Sequence, residues 1–136
     1  MITNLNLAET LAAYGQAMRV PKAEVIFEPG DVADGVYIVR SGQVHILLLD
    51  DRGVSVWSRN VAQGAILGLP AAVGKYQHCV QAIAVESTEM VYLSADTLLA
   101  LIRDTPTLGA QVLAVISEEL GDLRKKASML NVRIRN

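Results

Sequence analysis

The spacing of apolar positions changes twice along the chain. Leu7, Leu11 and Tyr14, with Met18 following, are placed at helical intervals, and Pro21 ends the run, so the pattern predicts a helix over 7–19. From Glu24 the period shortens. Val25 and Phe27 lead into the turn Glu28-Pro29-Gly30-Asp31, and Val36-Tyr37-Ile38-Val39 reads as a strand ending before Ser41-Gly42. Val44 to Leu49 is a further strand, closed by the hairpin turn Asp50-Asp51-Arg52-Gly53. Val54 to Asn60 alternates as a half-buried return strand does, and strands over Gln77 to Val85 and Glu89 to Leu93 flank the Glu86-Ser87-Thr88 turn. Many short strands between regular turns predict a roll, sandwich or barrel over 24–93.

The last third returns to helical spacing. Ser94 is a good N-cap for a helix through Leu98, Leu99, Leu101 and Ile102, and Thr105-Pro106 opens a second, longer helix reaching about Leu130. Leu113, Ile116, Leu120, Leu123, Ala127 and Leu130 recur in steps of three and four, an a/d seam that asks for a partner helix. A second set, Leu108, Val112 and Val115, is suited to packing on the β-structure. Glu118, Glu119, Asp122, Arg124, Lys125 and Lys126 read as a solvated face. The seam therefore predicts a homodimer through Leu113, Ile116, Leu120, Leu123 and Ala127; the alternative is that both apolar faces pack on the same domain.

With 136 residues, 51% hydrophobic and 19% charged, the chain suits one domain with a proper core, residues 1–136. A net charge of −2 offers no basic field for nucleic acid. The single cysteine, Cys79, leaves no internal disulfide and fits a reducing compartment. No signal-peptide pattern opens the chain, and its apolar runs, such as Gly64 to Gly74, are too short and too interrupted to span a bilayer. A cytoplasmic protein with no membrane association is expected.

Two stretches carry a resemblance. Phe27-Glu28-Pro29-Gly30-Asp31, followed by Tyr37-Ile38-Val39-Arg40-Ser41-Gly42-Gln43-Val44, resembles the opening of the cyclic-nucleotide-binding domain of the Crp–Fnr regulators. The resemblance extends from Leu7 to about Leu130. It implies a mainly β fold with flanking helices: a double-stranded β-helix, or jelly-roll-like β-roll, with a long C-terminal dimerisation helix.

The second stretch, Gly64 to Ala82, lies where the family places its phosphate-binding cassette. There a short helix follows a glycine and points backbone N–H groups at the cyclic phosphate. A glutamate just after that glycine takes the ribose hydroxyl, and an arginine at the next strand neutralises the phosphate. Gly64-Ala65-Ile66-Leu67-Gly68-Leu69 is expected to supply the glycine and the helical turn, which puts the glutamate position at Ala65 or Ile66. The arginine position falls on Tyr76 or Gln77. No acidic residue lies between Gln63 and Ile83, and Lys75 is the cation of the stretch, with His78 able to join it at lower pH. Hydrogen bonds to charged groups are worth about 1.5–3 kcal/mol each. Lacking both partners, a cyclic nucleotide would bind weaker by roughly two orders of magnitude or more.

Other chemistry finds little support. His78 and Cys79, read as strand neighbours, point to opposite faces, and His45 lies too far away in sequence to complete a metal set. The His-x-His pattern of cupins, the cysteine cluster of an iron–sulfur sensor and a Walker-type glycine loop are all missing from the sequence. Asp50-Asp51 reads as a solvated turn. No catalytic residues, metal or cofactor are assigned, and an enzyme is not expected. About six residues follow Leu130, too few for a recognition helix, so specific DNA binding by this chain alone is not expected.

Three functions are left open. One is a ligand-sensing regulatory domain for an unknown small-molecule effector other than ordinary cyclic AMP, acting through the long helix. The second is a degenerate module that only dimerises or holds a partner. The third is a weak cyclic-nucleotide binder using the cassette backbone and Lys75. The candidate ligand-binding residues are Gly64, Ala65, Ile66, Leu67, Gly68, Lys75, Tyr76, Gln77 and His78. A cavity lined by Tyr76, Gln77 or His78 favours the first reading; a roll filled by Ile66, Leu67 and Val80 favours the second.

Overall fold

The computed structural model describes residues 5–129. In chain order the elements are α1 (Leu5–Ala12), β1 (Gln16–Val20), β2 (Val25–Phe27), β3 (Gly35–Ser41), β4 (Val44–Leu49), β5 (Ser55–Val61), β6 (Ile66–Leu67), α2 (Leu69–Gly74), β7 (Gln81–Ala84), β8 (Thr88–Ser94), α3 (Ala95–Asp104) and α4 (Pro106–Met129). The strands form two antiparallel sheets, ordered β1-β8-β3-β6 and β2-β7-β4-β5. This is the β-roll with flanking helices that the family resemblance implies.

Alternation along the strands divides the apolar residues between two cores. In β3, Val36 and Ile38 face the helices, where they join Leu7 and Leu11 of α1, Leu98 of α3, and Leu108, Val112 and Val115 of α4. Val39 faces the opposite way, into the space between the sheets, with Phe27, Ile46, Leu48, Leu67, Val80 and Met90. In β4, Val44, Ile46 and Leu48 are buried while His45, Leu47 and Leu49 are half-exposed. The stripe Leu108, Val112 and Val115 packs where the sequence placed it.

The helical segments have the expected punctuation at their starts. Ser94 Oγ accepts from the Thr97 backbone N–H at 3.2 Å and caps α3, and Pro106 is the first residue of α4. Leu113 is 60% exposed and Ile116 is half-buried against the helix-side core. The side chains of Leu120, Leu123 and Ala127, and all of Leu130, lie outside the described residues.

The first helix is shorter than its periodicity predicts. It ends at Ala12, and Gln16–Val20 is a strand paired with β8, Met18 opposite Met90. A Cβ at Gly15 would stand 2.4 Å from Val91 Cγ1 and 2.5 Å from the Tyr92 carbonyl oxygen, so the chain crosses β8 at a distance that only glycine permits. Tertiary pairing overrides a helical spacing that Met18 fits by coincidence. The roll accordingly begins at Gln16, not at residue 24. Likewise the strand expected over Gln77 to Val85 is regular only over Gln81–Ala84; Gln77 forms a single bridge to Val32.

Candidate functional site

The segment that should hold a phosphate is built differently from the expectation. Gly64 to Leu67 forms no helical turn. Gly64 sits at φ 91°, and Ile66–Leu67 is a short strand against Tyr37 and Ile38 of β3. The glycine that directly precedes α2 is Gly68, at φ 81° and ψ 15°, and the residue after it is Leu69. Leu69 is fully buried in the helix-side core, as is Ile66, while Ala65 and Leu67 are buried between the sheets. Ala65, Ile66 and Leu69 each carry an alkyl group turned inward, and none offers a carboxylate. Pro70, next in line, has no N–H to donate.

Gly68 has a second constraint. A Cβ there would meet His78 Cε1 at 2.7 Å. The His78 ring is only 6% exposed and stacks on Phe27, centroids 3.7 Å apart and planes 11° from parallel. Such a pair adds about 0.5–1.5 kcal/mol beyond its buried area. The His78 backbone N–H donates to the Asp31 carbonyl at 2.9 Å, and the His78 carbonyl accepts from Gly30 N–H at 2.8 Å. The cassette exit is thereby tied to the β2–β3 loop. Burial lowers the His78 pKa, against the raising pull of Asp31 and Asp34.

Lys75 caps α2 in the left-handed conformation, φ 59°. From there Lys75, Tyr76, Gln77 and His78 line an open cavity of about 660 Å³ together with Cys79, the Pro29-Gly30 turn and the β4–β5 hairpin tip at Leu49, Asp50, Asp51 and Gly53. Of the expected ligand residues, Lys75, Tyr76, Gln77 and His78 are therefore brought together. Gly64, Ala65, Ile66, Leu67 and Gly68 are not among the lining residues. Asp50 Oδ1 accepts from the Val54 and Arg52 backbone N–H groups at 3.0 and 2.9 Å, and these bonds hold its carboxyl below its ordinary range. Two hairpin carboxylates thus line the same cavity as the lysine, one of them, Asp50, 3.6 Å from the Arg52 guanidinium.

Sequence reasoning missed the hairpin and the β2–β3 turn as cavity walls, because only the tertiary fold brings them to residues 75–79. It also misplaced Glu119. That residue was read as part of a solvated face, yet it is 5% exposed, while Glu118 beside it is exposed. The helical register carried the signal: Leu108, Val112, Val115 and Glu119 form one stripe, each a turn further along the same face. Among the described residues, no cluster of three or more His, Cys, Asp and Glu is arranged to hold a metal ion, and no helix is long and apolar enough to cross a membrane.

Residues 17–105 match the family described as the cyclic nucleotide-binding domain. The chain belongs to that family. Two curated relatives place it in the Crp–Fnr group. The cyclic AMP receptor protein of Thermus thermophilus is 26% identical over 88% of this chain and 55% of the relative. The transcriptional activator protein Anr of Pseudomonas protegens is 30% identical over 96% of this chain and 52% of the relative. The chain thus spans about half the length of the curated relatives it matches. The crystal structure of the Thermus thermophilus catabolite activator protein superimposes with a TM-score of 0.76 at 24% identity, covering 94% of this chain and 60% of that one. The likeness to that structure is one of fold.

Proposed function

We propose that this domain is a non-enzymatic, cytoplasmic ligand sensor of Crp–Fnr type whose effector is not ordinary cyclic AMP, and that it signals by reorienting α4. The effector seats in the cavity bounded by Lys75, Tyr76, Gln77 and His78. The observation that carries this reading is the pairing of a closed cassette with an open rim. Ala65, Ile66 and Leu69 stand buried without a carboxylate, while Lys75, Tyr76, Gln77 and His78 line a cavity of about 660 Å³. The cavity offers one ammonium, two carboxylates, a phenol and an imidazole edge, which suits a small polar ligand carrying hydrogen-bond donors.

The test is a thermal-shift screen of small polar metabolites, followed by calorimetry on the hits with wild type and Gln77→Ala. Gln77 is exposed on the cavity wall, so its truncation should weaken a true ligand about tenfold while leaving the fold intact. A hit that binds both proteins equally would remove the cavity from the account.

A specific observation also favours self-association. Leu113 opens the outer seam of α4 at 60% exposure, a large apolar side chain in water on a helix that also packs on the roll. The seam Leu113, Ile116, Leu120, Leu123 and Ala127 is therefore assigned to a second copy. In sedimentation, Leu113→Glu should give monomers where wild type gives dimers; an unchanged mass in the variant would remove the seam from the interface.

A further inference from the structure

The fourth position of the α4 inner stripe is an acid. After Leu108, Val112 and Val115, in steps of four, three and four, comes Glu119, where a leucine would continue the packing. Its Oε2 is buried and has no hydrogen-bond partner among the described residues. An ionised carboxylate in that setting is costly, because it gives up water and gains no donor. Few charges face it. Among the described residues the Arg59 guanidinium on β5 favours its ionised form, burial opposes it more strongly, and its carboxyl is pushed up to about 7. The Cys79 thiol of the cavity lining, already pushed up by burial, is raised further by the Glu119 charge.

We propose that Glu119 is a proton-operated latch: in its neutral form it seats this turn of α4 on the β-roll, and as a carboxylate it draws the turn away toward water. The geometry supports a two-position device. Toward the N-terminus of α4 the stripe is wholly apolar and stays packed at any pH; Glu119 is the first position with a reason to leave. The direction follows from linkage. A carboxyl held above its ordinary value in the docked state favours docking most in acid. The docked state then weakens by up to tenfold per pH unit from the ordinary carboxylate value up to about pH 7, and levels off beyond. Between pH 5.5 and 7.5 the docking equilibrium should fall roughly twentyfold. The latch does not depend on the nature of the effector, so it can stand or fall apart from the sensor reading.

Hydrogen exchange of the α4 amides on the full chain tests it, with rates corrected for the intrinsic effect of pH. In wild type, protection around residue 119 should drop roughly twentyfold from pH 5.5 to 7.5. Glu119→Gln, which keeps the shape without the charge, should hold the acid-level protection at both. A flat wild-type profile, or the same drop in Glu119→Gln, overturns the latch. Should the variant fold poorly, the carbon-13 titration of the Glu119 carboxyl in wild type decides: a midpoint near 7 supports the latch, and one in the ordinary carboxylate range overturns it.

Discussion

The interior of the roll and the cavity at its rim are made from opposite materials, though the same cassette contributes to both. Inside, Phe27, Ala65, Leu67 and Val80 close up with the β4 residues, and no charged group is among them. At the rim, a few residues later in the chain, Lys75, Tyr76 and Gln77 are exposed and share a cavity with two hairpin carboxylates. In a domain of this family the charged grip on a ligand would belong to the cassette. Here the cassette start has become core and its end has become surface. One stretch of chain thus supplies both a packed interior and, about ten residues on, an exposed polar rim. His78 stands at the border, its ring stacked on Phe27 and the residue among those that line the cavity.

If that division holds, substitutions inside should cost stability and substitutions at the rim should not. Phe27→Ala removes the ring beneath His78 and should lower the unfolding free energy by about 3–5 kcal/mol, read by urea denaturation. A loss below 1 kcal/mol would mean the interior is not packed as described. Gly68→Ala should cost about 2–3 kcal/mol by the same assay, since the new methyl must sit at φ 81° and press on His78.

The border residue supplies a pH test. The folded-state pKa of His78 is lowered by burial, so its contribution is fully present at neutral pH and is lost as pH falls through its ordinary value of 6.5. Relative to His78→Phe, which retains a ring on Phe27, wild type should lose stability as pH is lowered from 7.5 to 5. Parallel curves would place His78 outside the core. The smallest effect belongs to the rim: Lys75→Gly should raise stability by about 0.5–1 kcal/mol, because lysine there occupies a left-handed conformation. A loss of stability would show that Lys75 has structural contacts that the cavity reading omits.

Much of this was legible in the residues, and what was not had a physical cause. The alternation in Val44 to Leu49, the cap at Ser94 and the start at Pro106 are local signals, and the structure follows them. Met18 satisfies a helical spacing, but its place is decided by Met90, far along the chain. Gly64 and Gly68 both adopt positive φ, and sequence alone does not say which one opens the helix. The approach of Asp50 and Asp51 to Tyr76 is a meeting of two distant loops, which no local pattern encodes. Glu119 is the exception. Its register with Val112 and Val115 was readable, and its charge concealed its place on the packed face.

The central claim is that the cassette has lost its grip on a cyclic nucleotide. Calorimetry of the full chain with cyclic AMP and cyclic GMP at low salt tests it most directly. The account predicts no heat of binding below millimolar ligand. Micromolar binding of either nucleotide would contradict it, and would mean that the cassette backbone and Lys75 suffice without the missing carboxylate and arginine.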